Sequence, residues 1–126
     1  MRPLLGTYVD AWARGPAASA ALDAAFASVE RAQAYWSFHD AGSELSRLNA
    51  QPQRRIKLAP ATLRLLRAAR AVMLASGGAF DCTVGGMLVR DGILPDHAGP
   101  AALPRGVADD IEIGHDWALL RRPVRL

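Results

Sequence analysis

Only one cysteine, Cys82, stands in the 126 residues. No disulfide can form within the chain, so the small stapled secreted scaffolds are excluded. Lysine is equally scarce: Lys57 is the only one, and arginine supplies the rest of the 15 basic residues. Aromatic residues make up only 6%. No apolar run approaches the ~18 residues of a membrane-spanning helix. There is no internal repeat and no low-complexity tract. What remains is 51% hydrophobic and 21% charged, with a mean hydropathy of +0.06. That balance excludes intrinsically disordered and collagen-like classes. The length suits one domain, with a core hiding about 65% of the unfolded surface.

The net charge is +3. Acidic residues are interleaved with the arginines, and the densest basic runs are Arg54–Arg55 and Arg121–Arg122. Neither is flanked by aromatics in the way a base-stacking platform needs, which argues against a nucleic-acid module. The opening residues 1–6 do not read as a signal peptide, because the apolar stretch is short and no cleavage site follows. The chain either remains in the cytoplasm or relies on an export segment upstream, so localisation stays open.

Residues 4–13 read as one strand, with Thr7, Tyr8 and Val9 favouring it and Gly15-Pro16 ending it. A long helix is expected over residues 17–34, where Leu22, Phe26, Val29 and Trp36 recur at helical spacing. Residues 38–42 are a turn, and Ser43 is an N-cap for a short helix over 44–49. A short strand follows at 55–58, with Ile56 and Leu58 on one face. Pro60 then opens a second long helix with Leu63, Leu66 and Met73 inward. Arg64, Arg67 and Arg70 form its solvated face, and Ser76-Gly77-Gly78 ends it. Residues 84–90 are a short helix and 92–108 a Pro/Gly-rich loop. Residues 111–113, 118–120 and 124–126 are strand candidates, the first two forming a hairpin. The order of elements gives an α+β class with antiparallel pairing and two main helices. The last candidate runs to the final residue, which suggests a boundary drawn inside a larger fold.

Little here resembles a self-contained catalytic centre. His39, His97 and His115 do not pair at metal-ligand spacing, and Cys82 has no second cysteine. Asp81 beside Cys82 would raise the thiol pKa, so a small buried thiol is the simpler reading. No serine sits in a Gly-x-Ser-x-Gly setting. Gly77-Gly78 ends a helix instead of opening one, unlike a phosphate-binding turn. Either it is a plain helix cap, or it lets the backbone approach a ligand while the following residues offer amides and the Asp81 carboxylate.

Three segments taken together resemble a known family. They are Leu5-Gly6-Thr7, the run from Trp36-Ser37-Phe38-His39 through Ser43-Glu44-Leu45-Ser46-Arg47-Leu48-Asn49, and Ser76-Gly77-Gly78-Ala79-Phe80-Asp81-Cys82-Thr83-Val84-Gly85. In order and spacing they are similar to the N-terminal half of the ApbE family, the FAD:protein FMN transferases. The resemblance covers nearly the whole chain and is weakest at 92–108. It implies the N-terminal part of an ApbE-like, T-fold-related fold. It also implies a magnesium-dependent transfer of FMN from FAD to a threonine hydroxyl of an acceptor protein, with release of AMP. Some relatives hydrolyse FAD instead.

Carried over position by position, the resemblance implies five flavin-nucleotide contacts. Leu5 stands where the family has a flavin-contacting methionine. His39 stands at the aromatic position that covers the flavin ring, often a tyrosine. Ala79, Phe80 and Asp81 match the segment lining the FAD pocket. The family's later Gly-Gly-Ile-Ala-Lys-Gly-like and Ala-Gly-Gly-Asp-like strings, and its magnesium-holding aspartate and threonine, have no counterpart in residues 1–126. The expectation is one N-terminal segment, residues 1–126, truncated before those motifs. It carries no catalytic residue and no metal ligand, is inactive alone, and binds FAD weakly or not at all. The alternative is a non-catalytic flavin-binding module, or one that pairs with a copy of itself through unpaired sheet edges.

Overall fold

In the computed structural model, which describes residues 1–97 and 99–126, the chain begins with a hairpin. Strand β1 (Arg2–Leu4) pairs antiparallel with β2 (Thr7–Val9), Pro3 opposite Tyr8. The single strand expected over 4–13 is therefore broken in two. The cause is local: Leu5 and Gly6 both have positive φ, 56° and 71°, the conformation a two-residue type I′ hairpin turn requires. Leucine is an unusual occupant of that region, since its Cβ crowds the following carbonyl.

Helix α1 (Ala18–Trp36) runs two residues past its expected end. Phe26 is its buried anchor, and the Arg2 guanidinium lies 4.4 Å above the Phe26 ring. Arg2 also reaches Asp23 and Glu30, so the hairpin is fastened along α1.

Ser43 caps α2 (Glu44–Ala50) as expected, its Oγ accepting from the Ser46 amide at 3.0 Å. Strand β3 (Ile56–Lys57) buries Ile56 and exposes Lys57. Pro60 opens α3 (Pro60–Ala75), whose buried face carries Thr62, Leu63, Leu66 and Met73. Helix α4 (Gly85–Arg90) follows, then an irregular stretch that leads to a 3₁₀ turn over Ala108–Asp110. Ala98, within the expected loop, lies outside the described residues. Strands β4 (Ile111–Ile113) and β5 (Trp117–Leu120) form the expected hairpin, and β5 also pairs with β3, giving the antiparallel order β3-β5-β4.

The core lies between this sheet, α2 and α3. Leu48, Leu63, Ile111, Leu120 and Val124 are each 2% exposed or less. Burying each leucine or isoleucine stabilises by roughly 1.5–3 kcal/mol.

Two expectations change here. Residues 124–126 are not a strand. Their backbone is paired by a side chain: Asn49 donates Nδ2 to the Leu126 carbonyl at 3.0 Å and accepts the Leu126 amide on Oδ1 at 2.9 Å. The Arg125 carbonyl accepts from the Gly85 amide, which leaves only a single parallel bridge to Val84. The arginine row on α3 is not simply solvated either. Arg67 donates to the Gly114 carbonyl at 2.7 Å, and Arg70 to the Ala108 carbonyl and the Asp109 carboxylate. Both arginines fasten α3 to the ends of β4.

Candidate functional site

The five candidate residues fall into two places. Leu5 and His39 meet on one depression of about 530 Å³ between the hairpin turn and the end of α1. Leu5 is held there by its amide, which donates to Gln33 Oε1 at 2.7 Å. Its side chain is left 57% exposed. Trp36 and Phe38 complete the apolar wall, and His39 lies at the exposed rim. Phe38 is backed by His97: the rings stack with centroids 6.0 Å apart, and His97 Nε2 donates to the Phe38 carbonyl at 2.5 Å. The wall is thus aromatic, with Phe38 held by His97, and an aromatic wall is one on which a planar ring can stack.

Gln33 and Trp36 were not among the site candidates, although a signal was present. Leu22, Phe26, Val29, Gln33 and Trp36 fall on one helical stripe, and Gln33 is its one polar member. A polar side chain on an apolar stripe needs a partner, and here it is the amide of the strained turn.

Ala79, Phe80 and Asp81 lie elsewhere, after α3. Gly77 has φ of 60° and occupies the left-handed position of a Schellman cap. Its amide donates to the Leu74 carbonyl, and the Gly78 amide to the Met73 carbonyl. The Ala79 amide donates to the Ser76 carbonyl and the Phe80 amide to Ser76 Oγ. All four amides of this turn are used internally, which is the helix-cap arrangement and leaves side chains, not these amides, to face the neighbouring cavity. Ala79 and Phe80 are exposed, Phe80 by 44%.

The Asp81 side chain is only 8% exposed. Its Oδ1 accepts from the Thr83 amide at 2.8 Å and the Thr83 hydroxyl at 2.6 Å. Its Oδ2 receives Arg105, with Nε and Nη2 each at 2.9 Å. Burial pushes the Asp81 carboxyl up, but the Thr83 hydrogen bonds and the Arg105 cation outweigh it and hold it below its ordinary range. Thr83 Oγ1 in turn accepts from the Gly106 amide at 2.7 Å. Asp81 and Arg105 border a second cavity, of about 320 Å³, together with Gly77, Gly78 and Gly106. It shares no lining residue with the Leu5–His39 depression. No local pattern in the sequence marks Arg105, whose partner lies 24 positions away.

The other polar residues of the motifs serve the scaffold. Glu44 Oε1 accepts from the Ala59 amide at 2.9 Å, Glu44 Oε2 accepts from the Thr62 hydroxyl, and Thr62 Oγ1 accepts from Trp36 Nε1 at 3.0 Å. Asp110 takes Arg122 on both oxygens at 2.6 Å, and that bond lowers its pKa. Cys82 packs against the core, and burial pushes its thiol up, away from the reactive thiolate.

Among the described residues no three His, Cys, Asp or Glu side chains converge as metal ligands, and no helix is long and apolar enough to cross a membrane. Asp81, Asp110 and Glu44 are each occupied by protein donors, so these three carboxylates do not fit a magnesium ion. The basic runs are occupied as well: Arg55 lies 4.3 Å over the Trp117 ring, Arg121 pairs with Glu112, and Arg122 with Asp110.

Several solved structures share this architecture. The ApbE protein from Thermotoga maritima matches with a TM-score of 0.74 at 21% identity, over 86% of this chain and 38% of its own. The apo flavinyl transferase ApbE of Pseudomonas stutzeri gives 0.75 at 21%, over 91% and 41%. The flavin transferase ApbE of Vibrio cholerae gives 0.70 at 22%, over 90% and 42%. The chain therefore spans about two fifths of the length of the structures it matches. No curated protein matches it. The family model for ApbE aligns with residues 5–117, which include the hairpin turn, both long helices and the Asp81 segment, and on that match the chain belongs to the ApbE family.

Proposed function

We propose that residues 1–126 form a single N-terminal segment, the flavin-receiving part of an FAD:protein FMN transferase. In that reaction FAD is a substrate. The hydroxyl oxygen of an acceptor protein's threonine bonds to the FMN phosphorus, the diphosphate bond breaks, AMP leaves, and the hydroxyl proton is lost. The observation that carries the reading is the meeting of Leu5 and His39 on one braced aromatic depression of about 530 Å³. The flavin ring is assigned there, in contact with Leu5 and covered by His39. Ala79, Phe80 and Asp81 are assigned to the nucleotide end. Magnesium, which would offset charge on the diphosphate, is assigned to residues other than these, since the carboxylates here are occupied. Alone, the chain is expected to receive flavin weakly, with only part of the FAD site present, and not to transfer FMN.

The test is a riboflavin titration followed by quenching of flavin fluorescence. Quenching is expected, and His39→Ala should weaken it by about two- to tenfold, the worth of one ring contact. Absence of quenching by the unaltered chain would refute the flavin assignment. A parallel incubation with FAD, magnesium and a threonine-bearing acceptor peptide should give no FMN adduct by mass; robust labelling would refute the placement of the metal site elsewhere. A self-associating flavin-binding module is the second reading. It is favoured by the open edges of β1–β2 and by Tyr8 and Trp12, 71% and 78% exposed. Light scattering distinguishes it, since a monomer at all concentrations excludes it.

A further inference from the structure

The cavity beside Asp81 has an inverted polarity. Its one carboxylate has no acceptor capacity to spare: Oδ1 takes two donors from Thr83 and Oδ2 takes Nε and Nη2 of Arg105. The neighbouring amides are engaged as well, Gly77 and Gly78 in the helix cap and Gly106 on Thr83. Arg105 differs. Its guanidinium has five N–H donors, and among the described residues its contacts are the Nε and Nη2 bonds to Asp81. Nη1 is left over, on a side chain 57% exposed at the cavity's edge. Asp81 offsets the charge of Arg105, but it leaves these donors free and fixes their direction. What the cavity offers a ligand is oriented guanidinium N–H groups, and planar fork geometry suits phosphate oxygens.

We propose that Arg105 is the residue that meets the ligand at this cavity, donating to a phosphate oxygen of a nucleoside diphosphate, and that Asp81 acts through Arg105 as its positioning residue. This rests on the flavin-nucleotide reading, and it reassigns the contact expected of Asp81 to a residue from the loop where the family resemblance is weakest. Thr83 and Gly106 complete the support: the Thr83 hydroxyl joins the Asp81 carboxylate to the backbone adjoining Arg105, so acid and cation are held by one connected network.

The experiment is a titration of the full chain with ADP, adenosine and riboflavin, read by ¹⁵N–¹H spectra that include the Arg105 Nε–H. ADP should move that resonance and the amides of Gly78 and Gly106, whereas adenosine, which has no phosphate, should leave them in place. Arg105→Gln should weaken ADP by about tenfold or more, as loss of a charge-assisted bond does. Arg105→Lys keeps the cation and the ion pair with less risk to folding, and should weaken ADP by less than Arg105→Gln. Asp81→Asn should weaken ADP several-fold in the unaltered background and have no further effect alongside Arg105→Gln. The proposal is overturned if adenosine and ADP move the same resonances alike, if ADP moves none of them, or if Arg105→Gln binds ADP as the unaltered chain does. An equal loss from Asp81→Asn with and without Arg105 would show that Asp81 touches the ligand itself. Riboflavin separates this from the flavin reading. Loss of riboflavin binding with ADP binding intact refutes the flavin assignment alone, and the converse refutes this one alone.

Discussion

Glu44 offers the sharpest test of how the Ser43–Asn49 string works, because each of its two oxygens accepts from a part-buried donor. Oε1 takes the Ala59 amide, whose proton is fixed by the backbone. Oε2 takes the Thr62 hydroxyl, and that hydroxyl is already committed as acceptor to Trp36 Nε1. Thr62 is 2% exposed, and the Glu44 side chain 13%. Glu44→Gln preserves shape but replaces one acceptor with an NH₂ group. Turned toward Ala59, that group confronts a backbone donor; turned toward Thr62, it can donate to Oγ1, but the hydroxyl proton loses its acceptor. One buried donor is then left unpaired, at a cost of about 1–2 kcal/mol. With a urea slope of about 1.5 kcal/mol/M, the unfolding midpoint should fall by roughly 1 M. Thr62→Val removes the same bond from the other side, so the double variant should be less destabilised than the sum of the singles by about 1 kcal/mol. The assay is urea unfolding followed by far-UV circular dichroism. Arg47→Ala is the control: its contact to Glu44 is 3.6 Å and its side chain 48% exposed, so it should change little. An unchanged midpoint for Glu44→Gln, or strict additivity with Thr62→Val, would refute the reasoning.

Two further perturbations follow from the geometry. Asp110 and Asp81 both have folded pKa values below the ordinary carboxyl range. Their stabilisation is therefore complete above the unfolded value of about 3.9 and is lost as pH falls through the lower folded value. The urea midpoint should drop on acidification from about pH 5 to 2, Asp110→Asn should flatten that drop, and a midpoint constant over this range would refute the linkage. Leu5→Asn places a residue that tolerates positive φ in the hairpin turn. It should stabilise the chain by roughly 0.5–1 kcal/mol while weakening riboflavin quenching; lower stability, or unchanged quenching, would count against strain held for ligand contact.

The long helices were legible because their apolar residues repeat at helical spacing and are read locally. Phe26, Leu63, Leu66 and Met73 are buried as that periodicity requires. The β4–β5 hairpin was legible from its turn residues. The first hairpin was not, because Leu5 is the wrong residue for its turn. Leucine at positive φ gives no signal, and what holds it there is Gln33, 28 positions away. The end of the chain misled for a related reason. Val124, Arg125 and Leu126 have the composition of a strand, yet the Leu126 backbone is paired by the Asn49 side chain across 77 positions. Arg67 and Arg70 share the pattern: each looks solvated in sequence and is placed by a partner that only the folded chain brings near, as is Arg105, which no sequence pattern marks.

The same contrast separates the two family-like strings. In the first, Ser43, Glu44 and Asn49 spend their polar atoms on a helix cap, on the start of α3 and on the Leu126 backbone. Ser43 and Asn49 are buried, and Glu44 nearly so. Such residues are specific because the core has no substitute for their shape and hydrogen bonds, which is a reason for a motif that involves no ligand. In the second string the polar chain runs outward instead, from Thr83 through Asp81 to a half-exposed Arg105 at a cavity. Burial decreases along that chain and donor capacity remains at its end. A network built only for stability would end satisfied, as that of Glu44 does. One that ends on oriented, unused donors at a cavity is arranged to be completed by something else, and that difference supports the proposal that Arg105 meets the ligand there.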